Sequence, residues 1–173
     1  MEYKSFETER LILKPTDEED ADFVLELLNT PKWLQYIGDR NVRSKADAVQ
    51  YIQTKITPQF QKLGFANYTV VRKSDQAKMG SCGLYDRPGL EGIDIGFAFL
   101  PAFEKKGYAY EAAIRMKELA IHEFGIRHIK GITVKENIAS QKLLEKLGLA
   151  FSKMIKIPND KEELMLYEWK LEE

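Results

Sequence analysis

The 173-residue chain is 44% hydrophobic and 31% charged, and its 26 Lys plus Arg nearly balance its 27 Asp plus Glu. This length predicts a single domain, residues 1–173, with enough chain to bury a sizeable core. The near-zero net charge argues against nucleic-acid binding through a basic surface. The single cysteine, Cys82, excludes an intrachain disulfide and favours a reducing compartment.

The amino-terminal segment gives no indication of export. Residues 1–7 are polar and acidic with no apolar stretch behind them, and no apolar run approaches the ~20 residues that a membrane span needs. We therefore expect a cytoplasmic protein that neither enters a membrane nor binds nucleic acid. A monomer and a homodimer both remain open.

In chain order, the first half predicts one strand and two helices. A strand at residues 10–14 ends at Pro15. A helix follows, with Thr16 and Glu19 as its capping box, and it stops at residues 29–31. A second helix begins near Ser44 and approaches its end at Pro58.

The second half alternates strands with two further helices. Three strands are predicted at 67–72, 79–85 and 93–100, then a helix from residue 108 to Gly125 and a strand at 129–134. A short helix after Asn137 is closed by Gly148, and strands at 151–157 and 164–171 end the chain. This order predicts an α/β (α+β) fold with a mixed, mostly antiparallel central sheet and helices on both faces.

The most informative segment is the basic, glycine-bearing turn between the strand at 93–100 and the helix that follows it. A helix N-terminus carries unpaired N–H groups and partial positive charge, so it attracts anions. Gly107 allows close approach of a ligand to the backbone, and Lys105 and Lys106 add positive charge. The turn suits a pyrophosphate or a phosphate ester, although the same pattern occurs in ordinary surface turns.

Several segments, taken in their order and spacing, carry a resemblance to a known family. They are Thr8-Glu9-Arg10-Leu11-Ile12-Leu13-Lys14-Pro15, Ile95-Gly96-Phe97, Lys106-Gly107-Tyr108-Ala109, Glu111-Ala112, Asn137, Ser140 and Leu147-Gly148. Together they resemble the Gcn5-related N-acetyltransferase (GNAT) superfamily, and within it the ribosomal-protein N-terminal acetyltransferase branch. The resemblance covers nearly the whole chain and implies one N-acetyltransferase domain that binds acetyl-CoA.

The resemblance also implies the contacts with acetyl-CoA. Pantetheine would lie between two splayed strands, 93–100 and 129–134, and pair with the backbone of the first. The implied contacts are Phe97, Ala98 and Phe99 for pantetheine, Lys105, Lys106, Gly107, Tyr108, Ala109 and Tyr110 for the pyrophosphate, Asn137 for the pantetheine arm, and Ser140 near the sulfur.

Three positions depart from the family pattern. Glu104 brings a negative charge to the anion-binding turn. Leu144 stands where many members have a tyrosine that protonates the leaving thiolate, which leaves Ser140 for that role. Asp94 replaces the longer glutamate that usually precedes Gly96.

Acetyl transfer from a thioester to an amine needs few groups. The amine must lose a proton, the oxyanion needs a hydrogen-bond donor, and the thiolate needs a proton. Asp94 is the candidate base, directly or through water, and the alternative is a solvated or ion-paired structural carboxylate. Ser140 could equally cap or pack its helix, and Asn137 could serve only as an N-cap.

Other residues bear on the acceptor and on metals. Trp33, Tyr36 and Phe65 are candidates for an acceptor pocket, with core packing as the alternative. His122 and His128 lack a metal-ligand pattern, so we expect no metal.

The leading interpretation is an acetyl-CoA-dependent N-acetyltransferase that acts on a primary amine, most readily a protein or peptide N-terminal amine. The alternatives are a small amine as acceptor, such as a polyamine, an amino-acid derivative or an aminoglycoside, and a non-catalytic acyl-CoA-binding module. The acceptor is not predictable from the sequence, because acceptor loops vary independently of fold.

Overall fold

The computed structural model describes residues 2–158 and 160–172. Its helices are α1 Ala21–Leu28, α2 Lys45–Tyr51, α3 Thr57–Leu63, α4 Tyr108–His122 and α5 Ile138–Lys146. Its strands are β1 Phe6–Glu7, β2 Leu11–Pro15, β3 Asn67–Arg72, β4 Lys78–Tyr85, β5 Ile93–Phe99, β6 His128–Thr133, β7 Ala150–Ile155 and β8 Leu164–Lys170.

The strands form one sheet with the order β1-β2-β3-β4-β5-β6-β8-β7, eight strands within the described ranges. The β5–β6 pair is parallel and the other neighbouring pairs are antiparallel. The predicted α/β fold with a mixed, mostly antiparallel sheet is therefore confirmed. Helix α4 packs on β4 and β5 with a face of small and apolar side chains that includes Ala112, Ala113 and Met116.

The predicted capping box at the first helix is wrong by one residue. Asp17 is the N-cap: its carboxylate accepts from the Glu19 N–H (3.0 Å), while Asp20 accepts from the Asp17 N–H (3.1 Å). Thr16 is buried instead, and its hydroxyl lies 2.8 Å from that of Thr69 on β3. Because the Thr16 hydroxyl is hydrogen-bonded to the sheet, it does not cap the helix.

The second helical segment does not stop at Pro58. A π-helical turn at Ile52–Ile56 joins α2 to α3, and Pro58 lies in the first turn of α3, where a backbone N–H is not needed. The segment continues to Leu63 and ends at Gly64, whose φ of +84° is left-handed. The predicted start is confirmed, since the Ser44 hydroxyl caps α2 by accepting from the Asp47 N–H (3.0 Å).

The parallel strands β5 and β6 separate soon after they begin to pair. Their register contains Ile93↔Ile129 and Asp94↔Lys130, and no further pair occurs among the described residues. Strand β5 leads into α4 and strand β6 leads into α5. Both helix N-termini therefore follow the carboxyl ends of the parting strands, where open sheets of this kind bind ligands.

Candidate active site

The gap between β5 and β6 leaves one edge of β5 without a neighbouring strand. Phe97, Ala98 and Phe99 pair with β4 on one side. On the other side they have no β6 partner within the described chain. Their N–H and C=O groups on that side can bond an extended ligand with amide groups, which is the arrangement predicted for pantetheine.

The predicted anion-binding turn has the conformation that such a site needs. Lys105 (φ +61°) and Gly107 (φ +82°) are both left-handed. In α4 the Glu111 N–H bonds to the Gly107 carbonyl (3.1 Å), so the N–H groups of residues 108–110 occupy the first turn, where intrahelical acceptors are lacking. The amides and the helix dipole together form a cradle for a phosphate group.

Arg10 and Glu111 support this turn from behind, a feature that the sequence analysis missed. The Glu111 carboxylate accepts from the Arg10 Nε (2.7 Å), the Arg10 N–H (2.9 Å) and the Thr8 hydroxyl (2.5 Å). The Arg10 guanidinium also donates to the Lys106 carbonyl (3.3 Å). The opening segment of the chain thus holds the backbone of the turn in place.

Two residues of the turn differ in role from what their side chains suggested. Tyr108 is buried at 8% exposure, and the Arg10 guanidinium lies 4.3 Å from its ring centre, so its backbone N–H faces the turn while its ring packs inward. Glu104 pairs with Lys32 (2.7 Å), which neutralises the negative charge that the sequence placed beside the turn.

The start of α5 places a hydroxyl and an amide at the other side of the gap. The Asn137 side-chain oxygen accepts from the Ser140 N–H (3.2 Å), which leaves the Asn137 NH₂ group for a ligand. Ser140 lies on the first turn of α5, and both residues line the cavity described below. Leu144 is buried at 1% exposure and packs against Gly131, so it offers no proton donor there.

Asp94 is buried at 1% exposure and forms an ion pair. The Nε of Arg87 lies 2.9 Å and 3.0 Å from the two carboxylate oxygens of Asp94. Burial raises the pKa of Asp94, and the Arg87 guanidinium opposes that rise. The sequence left a solvated or an ion-paired carboxylate as alternatives to a catalytic base, and Asp94 is ion-paired. The role of Asp94 as a base remains a prediction.

A cavity of about 850 Å³ opens along the gap. Asp94, Ala98, Asn137 and Ser140 line it, and Phe97 contributes to its wall; Phe99 is not part of the lining. The structure therefore brings the catalytic candidates and the start of α5 to one space, whereas the turn at residues 105–110 is outside the cavity lining.

Two of the three aromatic residues proposed for an acceptor pocket, Trp33 and Tyr36, line the cavity. The Trp33 Nε1 is buried and lacks a hydrogen-bond partner within residues 2–158 and 160–172. Phe65 does not line the cavity, because it is buried and its ring packs against that of Phe124 at 4.8 Å between ring centres. Of the two alternatives for Phe65, core packing is therefore the one observed.

Tyr85 and Arg87 form a further part of the cavity wall that the sequence did not indicate. The Tyr85 hydroxyl donates to Asn67 (2.5 Å), and burial raises the pKa of Tyr85. The Arg87 guanidinium lies 4.9 Å from the Tyr85 ring centre. In the register of β4 with β5, Tyr85 lies opposite Asp94.

Other potentially reactive groups have structural surroundings. Burial raises the pKa of Cys82 to about 12, so its thiol remains protonated. His128 pairs with Glu168 (2.9 Å). Across the described residues no group of three metal-ligating side chains comes together, and none of the described helices is long and apolar enough to cross a membrane.

The sheet order, with its parting central strands, is that of the GNAT acetyltransferase fold. The family profile for the acetyltransferase (GNAT) domain matches residues 10–150, and the chain belongs to this family. The family uses acetyl-CoA, and the chemistry of the turn and of β5 fits that molecule, since a helix N-terminus with two lysines suits a phosphate and an unpaired strand edge suits an amide.

Known relatives agree with this assignment. The chain is 25% identical over 143 residues to the uncharacterized N-acetyltransferase YoaA of Bacillus subtilis, covering 82% of this chain and 80% of the relative. A GNAT-family acetyltransferase from Bacillus anthracis superposes with a TM-score of 0.79 at 22% identity, covering 96% and 98% of the two chains.

RimL, a ribosomal L7/L12 α-N-protein acetyltransferase solved with coenzyme A, superposes with a TM-score of 0.81 at 16% identity, covering 97% and 98% of the two chains. At these identities the structural likenesses show the fold. The chain is an acetyltransferase of the GNAT family.

Proposed function

We propose that this chain, acting as a single domain, transfers the acetyl group of acetyl-CoA to a primary amine, and that the preferred acceptor is the N-terminal amine of a protein or peptide. The observation that carries the proposal is the separation of β5 from β6 beside two helix N-termini. Free backbone for an amide-containing arm borders the cavity at Phe97 and Ala98, and the same strand leads into the turn proposed to hold the phosphates.

The donor half of the site uses backbone more than side chains. Acetyl-CoA supplies an acetyl group that is activated as a thioester. The amides of residues 105–110 hold the pyrophosphate, with Lys105 and Lys106 adding screened positive charge. The backbone of residues 97–99 and the Asn137 NH₂ group orient the pantetheine arm, so that the thioester is held near Ser140.

Ser140 assists departure of the thiolate. Its position in the first turn of α5 puts its hydroxyl in the positive field of the helix N-terminus, which stabilises a developing negative charge. A serine hydroxyl has a high pKa, so it acts by donating a hydrogen bond or by relaying a proton from water. Leu144 has no proton donor, so it does not compete for this role.

Asp94 receives the proton of the acceptor amine, directly or through water. Burial favours its basic behaviour by raising its pKa, while Arg87 keeps part of the charge compensated. Such a carboxylate remains a modest base. An α-amine has an ordinary pKa of about 8 whereas a lysine amine has one of about 10.4, so an N-terminal amine is the acceptor that needs least help.

The decisive assay is thiol release from acetyl-CoA with matched acceptors. The acceptors are lysine-containing peptides, each with either a free or a blocked N-terminus. We expect turnover when the α-amine is free and little when the lysine side chain is the only amine. A preference for polyamines, amino-acid derivatives or aminoglycosides would replace the acceptor assignment. Tight acetyl-CoA binding without release by any amine would identify a non-catalytic acyl-CoA-binding module.

A further inference from the structure

The Arg87 guanidinium is fixed in place by its neighbours, but only one of its three nitrogens is hydrogen-bonded to a described residue. Its Nε bonds to both oxygens of Asp94, and its flat face lies 4.9 Å from the ring centre of Tyr85. These two contacts fix the plane and the direction of the group. Its Nη1 and Nη2 atoms make no hydrogen bond or ion pair with any described residue.

The free end of this guanidinium lies beside the middle of β5. A Cβ placed on Gly96 would be 3.6 Å from the Arg87 Nη2 and 2.8 Å from the Tyr85 ring, so only glycine leaves room there. Gly96 is two residues before Ala98, a separation of about 7 Å along a strand. Arg87 therefore reaches the cavity a short distance from where the thioester is expected.

The lining of the same cavity contains further positive charge that can attract an anion. Arg40 and Lys55 also line the cavity, and neither side chain has an ion-pair partner among the residues that the structure describes. The acids nearby are largely compensated, because Asp39 pairs with Arg43 and Asp86 pairs with Lys62 at 3.5 Å.

The remaining acids of the lining lie on a single segment. Asp160 and Glu162 flank Lys161 in the segment before β8, and the Asp160 carboxylate accepts from the Glu162 N–H (3.1 Å). Apart from this segment, the unpaired charges of the lining are the cations Arg40 and Lys55, beside the Arg87–Asp94 pair.

From this arrangement we propose that Arg87 binds a carboxylate of the acceptor, and that the enzyme prefers primary amines that carry a carboxylate close to the amine. A guanidinium with two free N–H groups in a fixed plane matches the geometry of a carboxylate. The Arg87–Asp94 pair is close to neutral by itself, so Arg40 and Lys55 supply the net attraction. Cationic acceptors such as polyamines are disfavoured by the same charges.

The short distance between Gly96 and Ala98 limits where the carboxylate can be. With the amine at the thioester and the carboxylate at Arg87, the two groups must belong to the same or an adjacent residue. Two sources satisfy this chemistry: the acidic side chain of a peptide's first residue, and the α-carboxylate of a free amino acid. The same guanidinium would serve both, and their separation is a matter for experiment.

This inference rests on the proposed function, and its test compares acceptors that differ only in charge. One pair is a peptide beginning with aspartate and the same peptide beginning with asparagine; the other is glycine and glycinamide. We expect kcat/KM to be about 10- to 100-fold higher for the carboxylate member of at least one pair. The pair that shows the preference identifies the source of the carboxylate.

In the variant Arg87→Gln this preference should disappear. Asp94 loses its ion-pair partner, so the rate should fall with both acceptors, but it should fall about 10- to 100-fold further with the carboxylate acceptor than with the amide. Arg115→Gln removes an arginine on α4 outside the cavity lining and should leave the preference intact. Equal losses for both acceptors in Arg87→Gln, or no preference in the unmodified enzyme, would overturn the inference.

A binding measurement keeps the inference testable if Arg87→Gln is unstable or if no amine is acetylated. Calorimetry in the presence of CoA would compare the N-acetylated aspartyl and asparaginyl peptides, and N-acetylglycine with its amide. The double variant Arg87→Gln with Asp94→Asn leaves no buried charge unpaired and serves where the single variant does not fold. If the carboxylate product binds more tightly than its amide and either variant abolishes this difference, the role of Arg87 is supported, even where absence of turnover refutes the proposed function. Equal binding of the carboxylate and the amide refutes the role of Arg87.

Discussion

Replacing Gly107 by valine tests the phosphate cradle, and the structure permits an estimate of each effect. Gly107 has a φ of +82°, a region that a β-branched residue adopts at a cost of about 1–3 kcal/mol. For a chain of this size 1 kcal/mol corresponds to about 2–4 °C, so the melting temperature should fall by about 2–12 °C. The nearest atom to an added Cβ is the Arg10 Nη2 at 3.4 Å, so no clash inside the protein adds to the strain.

The effect on CoA binding should be larger than the strain explains. We expect a valine at residue 107 to shift the left-handed backbone of the turn, whose amides hold the pyrophosphate in the proposed site. Each charge-assisted hydrogen bond lost costs about 1.5–3 kcal/mol, which is about a 10- to 150-fold increase in Kd. Isothermal titration with CoA would measure this change.

Gly64→Val is the matched control for backbone strain. Gly64 has a φ of +84°, ends α3, and has no atom within 4 Å of an added Cβ. This variant should lose a similar amount of thermal stability and keep its CoA affinity. Equal CoA affinities in the Gly107 and Gly64 variants would refute the assignment of the cradle.

The remaining predictions concern charge, proton transfer and support of the turn. Lys106→Glu should weaken CoA binding less than Gly107→Val, and titrations at rising salt should show the difference shrinking, because exposed charges are screened. Asp94→Asn should lower the rate near neutral pH, and a pH–rate profile should show this loss shrinking as rising pH neutralises the acceptor amine. Because the pKa of Asp94 is raised, the wild-type rate on the acid side should fall at a higher pH than it would with an ordinary aspartate. Ser140→Ala should lower kcat by about 10² with a small change in acetyl-CoA affinity, and by much less with a thioester whose thiolate leaves unprotonated; equal losses with both donors would remove the leaving-group role. Glu111→Gln should lower both the melting temperature and CoA affinity, measured by calorimetry, whereas a purely local role would leave the affinity unchanged.

The strands were predictable because their signals are local. Alternating apolar residues bounded by turns predicted a strand at residues 67–72, and β3 occupies Asn67–Arg72. The same reasoning placed the start of β5 at Ile93 and the opening of α4 after Gly107. The parting of β5 and β6 came from family resemblance, since composition and periodicity contain nothing about how far two strands stay paired.

The misassigned cap shows where local signals compete. Thr16 and Asp17 are both good N-caps, and the Thr16 hydroxyl is instead held by β3, where it shares a hydrogen bond with the Thr69 hydroxyl and accepts one from the Asn67 side chain. The continuation of the helix past Pro58 has a similar origin, because a π-helical turn adjusts the backbone before the proline.

The missed part of the site depends on contacts between distant or turn-connected residues. Arg10 meets Glu111 across about a hundred positions of sequence. Arg87 meets Asp94 only because the connection between β4 and β5 turns it back over the strand. Neither pair has a spacing that distinguishes it from other opposite charges in the chain, so both required the three-dimensional fold.

If acetyl transfer to a primary amine takes place in the gap between β5 and β6, a bisubstrate analogue, in which CoA is joined covalently to the α-amine of a peptide, should bind there. In a crystal structure of this complex we expect the pyrophosphate on the amides of residues 105–110, the pantetheine arm along residues 97–99, the sulfur near Ser140 and the peptide in the cavity. A pyrophosphate bound elsewhere, or a peptide lying outside the cavity, would show that the reaction does not take place in this gap.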